Sequence, residues 1–351
     1  MNNKYVMILI GLIMLIPITG FAISQGAPLS LLIEPSSRAG AMGSAYVAQV
    51  DDAYAGYWNP GAMAFNRKTQ IAWMHSNWFG DVEGIDDMYY EFLSWNQYFE
   101  DIGNIGFNAT FMTFGEMQII DAQQNEHGTY KPFDLSAAFS YAYQISENDG
   151  AGATFKIIYS KLATDQVLDA VNASDKKGYG LSWAFDLGYK RMNLFLRGLD
   201  FGINLQNIGP KITYSNKDQA DPLPTNWRMG FSYRVLEQQY NKFTINLDMN
   251  KNLANDDGAI QSIVTGWFDD DSDDEINEII LNAGAEYVYL DLLSIRGGYI
   301  SDRAGEIEGL SFGAGIHYTF KGNYKLSLDM AFQPAGELTD YNKTFSAKLD
   351  F

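Results

Sequence analysis

The feature that most constrains the fold is a repeated alternation of apolar and polar side chains, which begins near Thr69 and continues to the C-terminus. In the last run, Phe345, Ala347, Leu349 and Phe351 alternate with polar residues. Side chains of a β-strand point to opposite faces with a period of two, so this run predicts a strand with one apolar and one polar face. Repeated runs of about ten such residues, separated by turns, are typical of transmembrane β-barrels.

Fourteen runs of this kind can be placed along the chain, and single-chain bacterial barrels have an even number of strands. The predicted strands are 69–79, 88–98, 103–114, 132–143, 150–161, 179–190, 198–207, 226–236, 241–251, 279–290, 292–301, 308–320, 323–333 and 342–351. The first two are the least regular, because Trp73, Trp78, Tyr89 and Trp95 do not form one stripe.

The connections between the runs differ in length in an ordered way. The long ones are 80–87, 115–131, 162–178, 208–225 and 252–278, whereas 99–102, 144–149, 237–240 and 321–322 are short. Outer-membrane barrels have long outer loops and short periplasmic turns. The long connections are therefore predicted to face the outside of the cell. The sequence predicts an all-β, fourteen-stranded antiparallel transmembrane barrel.

The first 26 residues are expected to form an export signal. Lys4 precedes an apolar run from Tyr5 to Ile18, and small residues follow, as in a secretory signal peptide. Cleavage after Ala22 and cleavage after Gly26 both fit this pattern. The apolar run is shorter than the roughly 20 residues of a spanning helix. An uncleaved membrane anchor is the alternative.

Composition agrees with an exported membrane protein. The chain has no cysteine, which excludes disulfide bonds and thiolate metal sites. Its formal net charge of −19 argues against a nucleic-acid partner, because binding phosphates requires Lys and Arg. Aromatic residues make up 15%, and Tyr and Trp favour the membrane–water boundary. After residue 18 no stretch is apolar and long enough for a spanning helix, so a closed barrel is the remaining way to cross a membrane.

Residues 27–68 are predicted to form a plug inside the barrel domain, residues 69–351. Small residues dominate the stretch 37–62, and they allow close backbone packing in a confined lumen. The Asp pair at 51–52 is placed to cap a short helix over 53–58, which the following Asn-Pro-Gly ends. A periplasmic extension is the alternative for this segment.

Two motifs resemble the PorV/PorQ family of FadL-like outer-membrane barrels. The first is Arg38-Ala-Gly-Ala-Met-Gly-Ser-Ala-Tyr-Val-Ala48, followed by Asp51-Asp52-Ala53 and Trp58-Asn59-Pro60. The usual Asn-Pro-Ala-Gly ending is Asn-Pro-Gly-Ala here. The second is Leu205-Gln-Asn-Ile-Gly-Pro-Lys-Ile-Thr-Tyr214, followed by Ala220-Asp-Pro-Leu-Pro-Thr-Asn226.

This resemblance implies a component of the type IX secretion system without a catalytic group or cofactor. Proteins of this type bind the C-terminal signal domain of cargo leaving the translocon and pass it to a sortase-type surface complex. The expected plug motif is Arg38, Gly40, Gly43, Asp51, Asp52, Asn59, Pro60 and Gly61. The expected partner-binding residues of an outer loop are Pro210, Tyr214, Asp221, Pro222, Pro224 and Asn226. The three prolines suit a rigid loop, although shaping a turn is an equal alternative. Phe351 is expected to be the outer-membrane assembly signal.

Other chemistry finds little support in the sequence. Gly309 to Gly313 matches a nucleophile-elbow pattern, but Ser311 lies in an alternating strand rather than a strand–turn–helix. His75 and His127 have no Cys or His companions at metal-ligand spacing. The acidic cluster 269–275 lacks the glycine and the closing glutamate of an EF-hand loop and is predicted to be a solvated loop. Calcium bridging remains the alternative for this cluster.

Three functions remain from the sequence: a cargo-binding secretion barrel, a FadL-like channel for hydrophobic small molecules, and a structural or adhesive surface protein. A channel for apolar ligands needs an apolar pocket below its outer loops. The inward strand faces consist of Asp, Asn, Ser, Gly and Lys, which favours the secretion barrel. Its expected partners are outer-membrane lipids, secreted cargo, the translocon and the surface complex.

Overall fold

The computed structural model describes residues 26–78, 87–120, 126–170, 177–214, 220–269, 272–320, 323–336 and 340–351. The predicted signal segment, except for Gly26, lies outside these residues.

The fold is a closed antiparallel barrel of fourteen strands, as predicted. Its strands are β1 (Gln70–Asn77), β2 (Met88–Phe99), β3 (Gly103–Phe114), β4 (Phe133–Gln144), β5 (Asp149–Lys161), β6 (Tyr179–Arg191), β7 (Leu199–Ile208), β8 (Asn226–Glu237), β9 (Asn241–Asn252), β10 (Ile280–Tyr289), β11 (Leu293–Asp302), β12 (Ile307–Phe320), β13 (Tyr324–Pro334) and β14 (Tyr341–Asp350). Each strand pairs with its sequence neighbour in the barrel, and β1 pairs with β14 to close it. In the part of the chain that the structure describes, no helix is long and apolar enough to cross a membrane.

The burial pattern of the strands shows which face meets lipid. In β6, Leu181, Trp183 and Phe185 are exposed, whereas Ser182 and Asp186 are buried. Apolar side chains therefore face outward and polar side chains face the lumen, the arrangement of a membrane barrel. Because the sheet closes on itself, every strand has a hydrogen-bonding neighbour on both sides. No strand edge with unpaired backbone groups is therefore left in the hydrocarbon core of the membrane.

The irregular pattern of the first two strands has a local cause. Met74 on β1 and Tyr90 and Phe92 on β2 point inward, where they belong to the apolar cluster around the plug. Trp73, by contrast, is exposed on the outer face. The inward faces of these strands therefore mix apolar side chains with polar ones such as Ser76 and Ser94, and a single apolar stripe does not appear.

The outer loops contain secondary structure that the alternation did not predict. Two small hairpins form, one from Met117–Ile120 and Glu126–Tyr130, the other from Ile212–Thr213 and Ala220–Asp221. The loops also contain three short helices, α3 (Asp165–Ala170), α4 (Ala259–Thr265) and α5 (Ser272–Asn277).

The N-terminal segment before β1 is helical in places. It contains α1 (Ser37–Gly40) and α2 (Ala55–Trp58), with 3-10 turns at Leu29–Leu32 and Pro60–Phe65.

Candidate functional site

The N-terminal segment crosses the lumen from the outer end to the periplasmic end. At the outer end the amide of Ala27 donates to the carbonyl of Pro222, at 2.8 Å, in the loop between β7 and β8. At the periplasmic end the amide of Thr69 donates to the carbonyl of Phe351, at 3.0 Å. Nearly all side chains between residues 36 and 64 are buried. The segment therefore fills the barrel as a plug.

Glycines on the inner wall let the plug backbone approach the strands. A Cβ added to Gly298 or Gly284 would overlap backbone atoms of Met42. The plug reciprocates at Gly43, which has a φ of 62° and where an added Cβ would lie only 2.7 Å from the backbone nitrogen and oxygen of Tyr299. Close backbone contact of this kind depends on missing side chains on both partners.

Arg38 is the electrostatic centre of the plug. Its Nε and Nη2 donate to the two carboxylate oxygens of Glu286 on β10, at 2.8 and 2.7 Å, and its Nη1 donates to Asp51 at 2.6 Å. Arg296 on β11 donates to the same Glu286, at 2.7 Å. Paired donors from a planar guanidinium to one carboxylate form a strong and orienting interaction. Of the predicted motif residues, Arg38 and Asp51 thus form an ion pair within the plug, and Arg38 also binds the barrel wall at Glu286.

Asp51 remains ionised although it lies inside the barrel. Burial by itself raises the pKa of a carboxyl group, but the charge of Arg38, assisted by Lys348 and Lys190, holds the pKa of Asp51 below its ordinary value. Its side chain is 61% exposed to the water-accessible space beneath the plug. Solvent screening therefore weakens its pairing with Arg38.

The helix cap expected at the Asp pair does not form as predicted. α2 begins at Ala55, and no side chain caps it. Asp52 instead accepts from the amide of Tyr54, at 3.1 Å, and from the hydroxyl of Tyr46, at 2.8 Å. The prediction considered only local partners, whereas Asp51 binds Arg38 and Asp52 binds Tyr46.

Asn59 separates the two helical turns of the plug, as the sequence indicated. It is extended, with φ −167° and ψ 98°, and its side-chain oxygen accepts from the amide of Gly61 at 3.0 Å. Its side-chain nitrogen donates to the carbonyls of Val47 and Tyr189, both at 3.0 Å. Pro60 follows at the first position of the next turn, against the wall at Gly188 and Gly152.

Polar wall residues that the sequence analysis did not select also hold the plug. Asp248 on β9 accepts from the amides of Tyr46 and Val47, at 2.7 and 2.8 Å. Asn204 and Gln206 on β7 donate to plug carbonyls, among them that of Tyr57. Buried backbone groups need such partners. In the sequence these wall residues can be recognised only as polar residues on the inward side of a strand. The strand sequence does not indicate which plug atoms they contact.

Ser311, the serine of the nucleophile-elbow pattern, and His317 on the same strand have structural roles. Ser311 donates to the carbonyl of Ala41 in the plug, at 3.3 Å. His317 contacts Ser294, with 3.1 Å between Nε2 and the hydroxyl oxygen. Gly40, a residue of the predicted plug motif, lies against the side chain of Gln333 on β13.

A cavity of about 590 Å³ lies beneath the plug and is lined by groups near the periplasmic ends of the strands. Its lining includes Lys190, Arg234, Lys325, Asp329 and Asp350. The plug thus separates the outer loops from a charged periplasmic vestibule.

The predicted outer-loop residues divide into an exposed and a buried group. Pro210 and Asp221 are exposed, Tyr214 and Pro222 are half-buried, and Pro224 and Asn226 are buried. The carbonyl of Pro224 accepts from Asn207 at 2.9 Å, and the side chain of Asn226 donates to Gln206 at 3.2 Å. Burial raises the pKa of Tyr214 to about 12.

This loop also anchors the start of the plug. Ile212 and Leu223 from the loop form a buried apolar cluster with Leu31 of the plug and with Ile158 and Ala184 of the wall. The inner side of the loop therefore faces the plug, and its outer side remains available for contacts outside the cell.

Phe351 lies at the closure of the barrel. Its ring stacks on Tyr324 with 6.0 Å between centroids, and its amide donates to the carbonyl of Thr69 at 2.9 Å. The ring is exposed on the outer face, as the alternation indicated. The predicted acidic cluster 269–275 lies partly outside the described residues.

Comparisons with known proteins agree on the family and on the fold. A family model described as type IX secretion system protein PorV matches residues 20–257. No curated protein is significantly similar to the chain.

Among solved structures, the barrel is similar to a TodX monoaromatic hydrocarbon channel mutant, with 11% identity, a TM-score of 0.55, and coverage of 90% of this chain and 97% of that one. The CymD monoaromatic hydrocarbon channel gives 12% identity, a TM-score of 0.52, and coverage of 91% and 97%. The toluene transporter TodX of Pseudomonas putida gives 11% identity, a TM-score of 0.50, and coverage of 89% of this chain and 95% of that one. At these identities the likeness concerns the fold alone.

Proposed function

This chain belongs to the family of the type IX secretion system protein PorV, and from that premise we propose that it is a cargo-binding barrel. As an outer-membrane component of that system, it binds the C-terminal signal domain of secreted proteins. It then passes the bound cargo from the translocon to a sortase-type surface complex.

The observation that carries this proposal is the filled lumen. The plug is fixed by backbone contacts at wall glycines, by the Arg38–Glu286 pair and by Asp248. A barrel whose interior is occupied in this way offers its outer loops as the working surface, and binding a folded domain there requires no passage through the barrel.

The outer loop between β7 and β8 supports the same interpretation. Its inner side packs on the plug through Leu223, and its exposed residues Pro210 and Asp221 face away. Prolines restrict the conformations of the unbound loop. The loop therefore loses less conformational entropy when it binds a partner. A loop held in place by the barrel below it is suited to recognising a folded partner.

The hydrocarbon channels with the same fold raise the alternative of a conduit for hydrophobic molecules. Ligand pockets for such molecules are mostly apolar. Apart from Met74, Tyr90 and Phe92, which pack on the plug, the inner wall is mostly polar, and the cavity beneath the plug is lined by charged side chains such as Lys325 and Asp329. These features favour cargo binding over conduction.

Affinity purification of the tagged protein from outer membranes tests the proposal. We expect secreted cargo with its signal domain still attached to co-purify, together with a translocon barrel. Recovery of lipid alone, combined with lost uptake of hydrophobic compounds in a deletion strain, would contradict the proposal and favour the channel.

A further inference from the structure

An apolar ridge lies on the extracellular loop between β9 and β10. Helix α4 begins at Ala259, and along it and the following turn Ile260, Val264 and Phe268 are 80%, 65% and 83% exposed. Residues spaced by four lie on one side of a helix, so Ile260 and Val264 share one side of α4, and Phe268 lies in the turn after its last residue, Thr265. Large apolar side chains this exposed and this close in the chain mark interaction surfaces.

The ridge is held rigidly rather than displayed on a loose loop. Trp267 packs edge-on against Trp227 at the rim of β8, with 5.1 Å between ring centroids. Asn255 donates to the hydroxyl of Thr265 at 3.0 Å and to Asp269 at 2.7 Å, which connects the two ends of the helix. A fixed ridge loses little entropy on binding.

The ridge points away from the β7–β8 loop. Ser262 is buried on the opposite side of α4, where it and Ala259 line a narrow crevice with Pro222 and Leu223. Residues 260 and 264 lie about 160° from residue 262 around a helix with 3.6 residues per turn. The ridge therefore lies on the side of α4 that faces away from the β7–β8 loop.

The charges around the ridge indicate what binds it. Asp256, with 96% of its side chain exposed and its carboxylate 3.5 Å from the Nζ of Lys211, precedes the helix, and Asp269 follows it. Carboxylates on both sides of an apolar ridge disfavour insertion into a lipid surface and favour a protein cleft with a basic rim. The surplus of negative charge on the chain, −19, acts in the same direction.

We propose that the ridge formed by Ile260, Val264 and Phe268 is the docking surface for the cargo signal domain. That domain is expected to present an apolar cleft bordered by Lys or Arg. This assignment rests on the proposed function and specifies the site at which it takes place. Rim carboxylates set association rate and salt dependence, while the buried apolar contact sets the lifetime of the complex.

Binding of a purified cargo signal domain to the detergent-solubilised barrel tests the assignment. Because Phe268 is exposed, Phe268→Asp leaves the fold intact but places a charge in the contact, and we expect affinity to fall about 30-fold or more. The matched control is Phe195→Asp, which alters an equally exposed ring, at 80%, in the periplasmic turn between β6 and β7. The control should bind as the wild type does.

The outcomes separate the site from the function. Equal affinity of wild type, Phe268→Asp and Phe195→Asp would overturn the ridge as docking surface while leaving cargo binding intact. Failure of the wild type to bind any signal domain would overturn the proposed function itself.

A single label distinguishes a protein partner from lipid. The chain has no cysteine, so Val264→Cys provides a unique site for an environment-sensitive fluorophore. In nanodiscs, we expect the emission to shift when the signal domain is added and to be insensitive to brominated phospholipids. Quenching by brominated lipid without a response to the signal domain would identify the ridge as a membrane contact and refute the proposal.

Discussion

Replacing Gly298 by alanine should release the plug from the wall without disrupting the barrel. Gly298 lies on the inner face of β11, and a Cβ there would overlap the carbonyl carbon of Met42 and the amide nitrogen of Gly43. Both are backbone atoms, so no change of rotamer relieves the overlap. The plug itself cannot adapt easily, because Gly43 already lies against the backbone of Tyr299.

The size of the effect follows from the geometry. Carbon atoms in contact are about 3.5 Å apart, so the plug or the strand has to move by about 1 Å or more. Overpacking of this kind costs about 1–3 kcal/mol. A loss of about 2 kcal/mol in plug docking raises the population of released plug about 30-fold.

Hydrogen–deuterium exchange of peptides covering residues 39–50 measures this population. Amides such as that of Val50, which donates to Tyr46 at 2.9 Å, should exchange faster in Gly298→Ala. The matched control is Gly297→Ala on the same strand. Its Cβ would face the membrane, with the nearest atom, the carbonyl oxygen of Ser311, at 3.9 Å.

The control should leave plug exchange unchanged, and heat-modifiable migration on gels should show that both barrels are folded. Identical exchange in the two variants would refute the view that close backbone approach at the wall glycines retains the plug.

Three further changes test other parts of the structure. Arg38→Met removes one of the two guanidinium groups that bind Glu286 and should weaken plug docking by about 3 kcal/mol. We expect faster hydrogen exchange of the plug amides in this variant, and unchanged exchange would contradict the role of the Arg38–Glu286 pair. Because the pKa of Asp51 is lowered in the fold, its contribution is present at neutral pH and lost as pH falls below about 4. Asp51→Asn should therefore reduce the acid dependence of plug exchange, and an unaltered pH profile would exclude Asp51 as its source. Phe351→Ala should lower the fraction of assembled barrel in outer-membrane preparations, and normal assembly would exclude the ring as the assembly signal.

The sequence predicted the strands well because alternation reports directly which side of each strand meets lipid. The last strand was predicted at 342–351 and lies at Tyr341–Asp350, and the strand predicted at 179–190 is Tyr179–Arg191. The pattern was unclear only where inward side chains are also apolar, as at Tyr90 and Phe92.

The contacts of the plug could not be derived in the same way. Arg38 and Glu286 are 248 positions apart, and the partners of a charged lumen residue are set by how the barrel closes. One signal was available: Gly284 and Gly298 lie inside strands, where glycine is unfavourable unless another backbone approaches closely. Such positions predict where a wall receives a plug, although not which plug residues meet it.

The most direct test of the central claim is the fate of cargo in a strain lacking this protein. We predict that cargo retains its C-terminal signal domain and fails to appear at the cell surface, whereas uptake of a radiolabelled monoaromatic hydrocarbon is unchanged. Restoring the wild-type gene should restore surface display. Normal processing and display of cargo in the deletion strain, together with reduced hydrocarbon uptake, would contradict the account.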